Sequence, residues 1–552
     1  KRSLKEYNKI IQLDSNYAKV YLYRATLYTY NLKDYDKALQ DYTKAIELKP
    51  KNADYYFERG KFYVNEKKDY EKAIIDFKMA LTLNPKDARF LYFRLAYSQK
   101  KLKQYNKAIF NYSKVIELHP EDAGAYQNIA LIYEELKEYD KVIEYYNKAI
   151  QKNSTNARIF LNRASFYVDI TKEYDKALQD YTKAIELEPK NADYYYYRGQ
   201  FYRNVKLNYE KAIIDYKMGA VLNPKVDEFY FGLAYSFTML KQYDKAIFNY
   251  SKVIELDPKI VSAYNNIANL YKKEFKDYDK ALEYYDKAIE INLTYSLGYK
   301  NRALFYEELK EYDKAIKDYT KAIELEPKNA NSYYSRGGFY HDNGNYLKAR
   351  IDYQKAITID PLNYRYHLAI SVVYNKLEQN EKALASSLKV IEIKPNSLYA
   401  YNNIASIYNM ELKDYVKALE YFNKEIEIRP NSFDGYLRRA EFYHISLKEN
   451  DKANDDYLRA LDLEPEDNNL NLSYISFNFS LKKYKKVIEL NNKAIERDLK
   501  DPQADYYSAL VYLEQKNDFR ALNSLSQSIK KIKNYSEEGY YISDLDLSLL
   551  DL

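Results

Sequence analysis

Residues 174–191 read YDKALQDYTKAIELEPKN. In them Tyr174, Ala177, Leu178, Tyr181, Ala184 and Ile185 recur at i, i+3, i+4 and i+7, which places a single apolar stripe along a helix. Pro189 closes the run, because proline lacks an amide N–H and its ring clashes with the turn before it. A nearly identical stretch occupies residues 35–52, 139 residues earlier, and a similar one 312–329, 138 residues later.

Working outward, the pattern Tyr-x-Lys-Ala marks the same helix face at Tyr35, Tyr70, Tyr105, Tyr174, Tyr209, Tyr243, Tyr278, Tyr312, Tyr346 and Tyr415. Relaxed forms begin at Tyr139, Asn380, Asn450 and Tyr484, and every step between neighbours is 34 or 35 residues. A looser copy around Phe519, Arg520 and Ala521 reads as slipped by one residue, giving fifteen repeats. Eleven of the 12 prolines stand fifteen residues after a marker. After each comes a second amphipathic stretch carrying a small residue, such as Gly60, Ala130, Gly199 or Ala268, where two helices must approach closely. The fold class predicted is all-α: an α-α superhelix of antiparallel helical hairpins. Residues 7–11 match residues 42–46, so 1–17 reads as the second helix of a cut repeat, 18–535 as the array, and 536–552 as a cap or tail.

The 34-residue period, the small residue on the first helix, Ala and Tyr on the second and the terminal Pro resemble the tetratricopeptide repeat family over about residues 1–535. The resemblance implies a right-handed solenoid with first helices on the concave side, and binding of proteins or peptides in that groove. The family's aromatic near the start of the first helix is Tyr or Phe here (Tyr56, Tyr126, Tyr195, Tyr264), never Trp.

Composition removes several classes of function. Of 552 residues, 87 are basic and 81 acidic, a net +6, with no Cys, no Trp, and 69 Tyr. That excludes disulfide or thiolate-metal scaffolds, cysteine catalysis and a strongly basic nucleic-acid arm. No stretch approaches the ~18 apolar residues needed to cross a bilayer, so membrane insertion is not expected. The segment 536–552 carries five acidic and no basic residues, with leucines at 545, 547, 549, 550 and 552. It reads as a cap or frayed tail whose altered face stops stacking, or as a docking peptide for another protein or subunit.

Because the four-repeat unit recurs about three times, the chain supplies its own alignment. The residue before the small residue is Arg at Arg24, Arg59, Arg163, Arg198, Arg302, Arg336 and Arg439, and those repeats carry Asp41, Asp76, Asp180, Asp215, Asp318, Asp352 and Asp456. Repeats with an apolar residue in the first column, such as Leu95 or Leu233, have Asn111 or Asn249 in the second. A guanidinium in a helix–helix seam needs a carboxylate, so an ion pair within each repeat is predicted.

Catalytic motifs are not found. There is no glycine-rich phosphate loop and no HExxH, and the four His are scattered. Paired carboxylates such as Glu134-Glu135 read as solvated faces. RNA-binding pentatricopeptide arrays share a near-35-residue period but need a basic groove, and here the charges alternate. Two residues before the small residue stand Asn128, Asn162, Asn266, Asn301 and Asn403. A side-chain amide donates and accepts at once, so this column can hold an extended peptide backbone without reading its side chains, as Asn ladders do in other grooves of the family. The family's two-carboxylate clamp has no matching set. Exposed Tyr196, Tyr197 and Tyr334 are expected in the groove. The function expected is a non-enzymatic protein- or peptide-binding scaffold with no cofactor and no metal. The alternatives are the regulatory or targeting arm of an enzyme whose catalytic part lies outside this chain and, less favoured, an RNA-binding helical repeat.

Overall fold

A computed structural model describes residues 2–496 and 502–537. Among the described residues there are 31 α-helices and no strand. They fall into two compact units, Lys1–Tyr284 and Tyr285–Leu552. In each unit first and second helices alternate, as in Ala157–Phe166, Tyr174–Leu187, Ala192–Asn204 and Tyr209–Leu222 of the first. The expected tandem hairpin architecture is what the chain adopts.

The core repeats with the sequence. Three, seven and ten residues after the marker, Ala38, Tyr42 and Ala45 are buried, as are Ala177, Tyr181 and Ala184. Tyr42, Tyr112, Tyr146, Tyr216 and Tyr250 are among the largest fully buried side chains. Each such ring lies on the small residue of its own first helix, which is why that residue is small. A Cβ on Gly199 would come 2.9 Å from a carbon of the Tyr216 ring, and one on Gly337 2.7 Å from Tyr353.

The alternation between 34 and 35 residues has a local form. Where ten residues separate the small residue from the next marker, the first helix ends in a five-residue π turn: Tyr28–Leu32, Tyr63–Lys67, Tyr167–Thr171, Tyr271–Phe275, Ile407–Glu411 and Tyr443–Leu447. The extra residue is absorbed by widening one turn, so the following helix keeps its face. In the repeat of Gly199 the helix instead frays after Asn204.

Between first and second helix the chain reverses through one left-handed residue, two before each marker. Glycine takes that place only at Gly344 (φ +73°). Elsewhere it is Lys, from Lys33 (φ 55°) to Lys516 (φ 57°), apart from Leu207 and Glu378. Lys516 also corrects the reading of the last repeat. The second helix there is Asp518–Glu537, so Asp518 stands 34 residues after Tyr484 in the marker's place and nothing has slipped.

The end of the array substitutes polar contacts for the aromatic column. Asn491, in the column where twelve of the preceding repeats bury Tyr or Phe and one buries Ser387, is buried and donates its amide to Ser508 Oγ. Lys531 pairs with buried Asp505 at 2.6 Å. Residues 538–552, most of the proposed cap or tail, lie outside the described residues.

Candidate binding groove

The first helices carry both the cross-links that align the hairpins and the half-exposed side chains between them. All seven Arg–Asp pairs form, each bidentate: Arg198 Nε donates to Asp215 Oδ2 at 2.9 Å and Nη2 to Oδ1 at 2.7 Å. Asp215 is 3% exposed and Arg198 18%. The hydrogen bond to Asp41 is the largest effect holding the Arg24 guanidinium pKa above its ordinary value, and Asp76 acts likewise on Arg59. The sequence reading kept this contact within one repeat, and the structure extends it. The remaining nitrogen, Nη1, donates sixteen residues back to the preceding second helix: Arg59 to Thr43, Arg198 to Thr182, Arg302 to Asp286, Arg336 to Thr320 and Arg439 to Asn423. Each guanidinium therefore joins three consecutive helices.

A second link explains why Tyr replaces Trp near the start of the first helix. Six residues after the Pro that closes the preceding helix, Tyr hydroxyls donate to the Pro carbonyl: Tyr195 to Pro189 at 3.1 Å, Tyr264 to Pro258 at 3.3 Å, Tyr401 to Pro395 at 3.1 Å. Each of those carbonyls lies just past the C-cap of the preceding second helix, so the hydroxyl ties the turn between helices to the next first helix. His367 and Asn471 take over the donation in the repeats that lack the Tyr, to Pro361 and Pro465.

The five predicted Asn are all half-buried on first helices. Asn128 and Asn162 stand in one column of consecutive repeats in the first unit, where Asn266 also lies; Asn301 and Asn403 belong to the second unit. Part of their hydrogen-bonding capacity is already used. The Asn128 amide donates to Gly124 O at 2.9 Å, and Asn266 to the Tyr250 hydroxyl at 3.1 Å across the repeat junction.

Two other expectations need correction. Of the three tyrosines expected to be exposed, only Tyr197 is so. Tyr196 packs edge-on against Phe229 at 5.9 Å and accepts from Gln200, and Tyr334 lies between Tyr353 and Tyr366 at 5.6 and 5.1 Å. Glu134 is half-buried rather than fully solvated, and burial pushes its carboxyl above the usual range, with Asp169 and Glu135 adding to the effect.

A cavity of about 890 Å3 lies in the second unit, and none of the five Asn lines it. It opens between the first helices Tyr364–Lys376, Leu398–Ser406 and Phe433–Phe442, with Asn402 rather than Asn403 in its wall. Sequence reading also missed an outer surface. Nine residues after the marker stands Lys or Arg through fourteen repeats, except at Met79 and Met218. The Lys commonly pairs with a Glu three residues on, as in Lys183–Glu186. Met79 and Met218 are exposed, as are Ile75 and Ile214 one turn before them. The internal alignment that revealed Arg and Asp carries this signal too.

Among the described residues no group of three or more His, Asp or Glu is placed to hold a metal ion, and no helix is long and apolar enough to cross a membrane. What the first-helix face offers is hydrogen bonding, charge and ring surface distributed over many hairpins.

These features define an α-helical hairpin repeat array. Tetratricopeptide repeat profiles match residues 53–87, 91–122, 123–156, 261–295, 296–329, 318–351, 364–397 and 398–432, and TPR repeat profiles match 29–65, 171–204 and 234–274. The chain belongs to the tetratricopeptide repeat family. No curated protein matches it. Among solved structures it is similar to yeast Tom70 (21% identity, 86% of this chain and 97% of that one, TM-score 0.38). It is also similar to YrrB, described as a TPR protein with an unusual peptide-binding site (24%, 33% and 92%, TM-score 0.28), and to MamA (29%, 29% and 94%, TM-score 0.27).

Proposed function

We propose that this chain is a non-enzymatic scaffold that holds a protein segment, in extended form, along the face of its first helices. One observation carries the reading: half-buried Asn recurs in one column of the first helices, beside a column that varies from repeat to repeat. Three residues before the small residue stand Gln127, Tyr196, Lys300, Tyr334 and Asn402, half-buried in different repeats. Half-buried Asn side chains along that face suit a peptide backbone, whose N–H and C=O groups need both a donor and an acceptor.

The test uses the whole chain. Proteins captured by crosslinking are identified, and peptides from them are titrated against the purified array and against Asn128→Ala, Asn162→Ala, Asn266→Ala and Asn301→Ala combined, with Asn403→Ala added separately. At least a tenfold loss of affinity with helicity unchanged is expected. Undiminished binding by the combined variant would remove the Asn column from the mechanism.

A further inference from the structure

We propose that the acidic, leucine-rich segment 537–552 of this same chain docks into the cavity of the second unit and competes there for the groove. The cavity rim is cationic. Arg365, Lys394, Arg429 and Arg438 line it against two acids, Glu425 and Asp434. Arg438 holds buried Glu425 and stands 4.0 Å from Asp434, so those three sum to one negative charge, and four cations against two acids leave the rim at +2. Arg365, Lys394 and Arg429 remain. Lys394 Nζ donates to the Tyr364 hydroxyl at 3.3 Å and lies 4.3 Å from the centre of its ring. Arg365 and Lys394 together hold the Tyr364 phenol below its ordinary pKa, the response of a site with positive potential.

Cations at the position of Lys394 occur in two consecutive repeats at one place in the array. Lys394 and Arg429 stand fourteen residues after their markers, a position held by Glu188, Asp257, Glu326, Asp360 and Glu464 in other repeats. Reversal of sign in two consecutive repeats, beside Arg365 on the intervening side, builds a local anion-attracting patch in a chain whose net charge is only +6. Below the rim the floor is aliphatic: Leu368, Val372 and Leu398, all half-buried.

The segment 537–552 complements both layers. It carries Glu537, Glu538, Asp544, Asp546 and Asp551 with no basic residue, and at 544–547 it reads Asp-Leu-Asp-Leu. An extended chain directs alternate side chains to opposite sides, so this text offers carboxylates to the rim and leucines to the floor. Reach is sufficient. The segment follows helix Asp518–Glu537, in the same unit as the cavity. Three hairpins lie between, a gap of about 24–30 Å if each adds about one helix spacing of 8–10 Å, and the residues after Glu537 span up to about 50 Å extended. The proposal needs no outside client and is independent of the Asn column.

Zero-length carbodiimide coupling of the dilute full-length chain tests it. The expected product is a monomeric crosslink joining Lys394 to Asp546 or Asp551. It should be lost in Arg365→Glu/Arg429→Glu, two exposed positions, with the helical spectrum unchanged. In parallel, a fluorescent peptide of residues 537–552 should bind the full chain carrying Asp544→Asn, Asp546→Asn and Asp551→Asn at least tenfold more tightly than the wild type, because that chain's own segment no longer competes. Equal binding to the two chains overturns the proposal, as does the absence of the Lys394 crosslink. A crosslink confined to dimers overturns it in favour of exchange between two copies. Loss of client binding on Asn substitution with this crosslink intact, or the reverse, separates the two readings.

Discussion

Arg198 closes a three-helix junction: two of its nitrogens clasp Asp215 in its own hairpin, and the third donates to Thr182 in the hairpin before, at 3.2 Å. The same geometry at seven places turns a shared sequence preference into a repeated mechanical joint. Truncating either partner leaves a charge in a seam. Asp215→Ala or Arg198→Ala is expected to lower local stability by about 3–5 kcal/mol, read as the opening free energy of amides in helices Ala192–Asn204 and Tyr209–Leu222. The double change Arg198→Leu/Asp215→Asn copies the natural combination of Leu233 with Asn249. It should cost roughly 1 kcal/mol or less, because neither polar group is stranded. Simple additivity of the single changes would show that the junction is not coupled.

The left-handed lysines are stability forgone. A side chain at φ near 55° costs about 1–2 kcal/mol relative to glycine, part of which glycine returns through its freer unfolded state. Lys33→Gly, Lys68→Gly, Lys103→Gly and Lys137→Gly are each expected to stabilise their hairpin by about 0.5–1 kcal/mol. Gly344→Lys should destabilise by a similar amount. Hydrogen exchange at the adjoining helix start measures both. A loss of stability in the lysine series would mean that those side chains hold the turn by contacts of their own.

Much of the fold was legible because each repeat must bury the same stripe against its neighbours, so a single period fixes helix, turn and core at once. Arg24 with Asp41 was legible because the array provides repeats without either. The third partner, Asn8 or Thr43, occupies an equally regular column but lies across the repeat boundary, where a comparison made within repeats does not look. The π turns were visible as an extra residue but not as a shape, since widening one turn requires no special residue type. Lysine at a left-handed position contradicts ordinary backbone preference, so no sequence rule finds it. Tyr196 and Tyr334 were misread as exposed because the rings that cover them, Phe229 and Tyr366, come from the next repeat. The cavity draws its cations from first helices and from the ends of second helices, so no single column of the alignment contains it.

Buried phenols make the array sensitive to alkali. Burial pushes the hydroxyls of Tyr112, Tyr146, Tyr216 and Tyr285 well above their ordinary range, and Tyr250 up to about 12. A raised folded-state pKa on an acid favours the protonated form. The stabilisation is therefore complete below the unfolded value near 10 and is lost as pH rises through the folded value. Absorbance at 295 nm should climb in two phases. The phase that belongs to the buried column follows only as helical ellipticity collapses. One phase completed before any loss of helix would contradict the packing of these rings.

The π turns make the length of the hairpin connection adjustable while the helices stay fixed, and deletion tests that division. Removing exposed Asn31 from Tyr28–Leu32 should convert a 35-residue repeat to the 34-residue form, with the route from Ala88–Lys101 to Tyr105–Leu118 as the natural precedent. The expected cost is about 1 kcal/mol or less, since an ordinary α turn replaces the widened one. Removing Gln40, equally exposed but inside helix Tyr35–Leu48, rotates every later residue of that helix by about 100°. Tyr42 and Ala45 then leave the buried face, at a cost on the order of 3–5 kcal/mol. Urea unfolding of the two deletions, followed by hydrogen exchange in the first hairpin, separates the outcomes. Equal damage from both would show that the π turn is fixed by its own contacts instead of accommodating a spare residue.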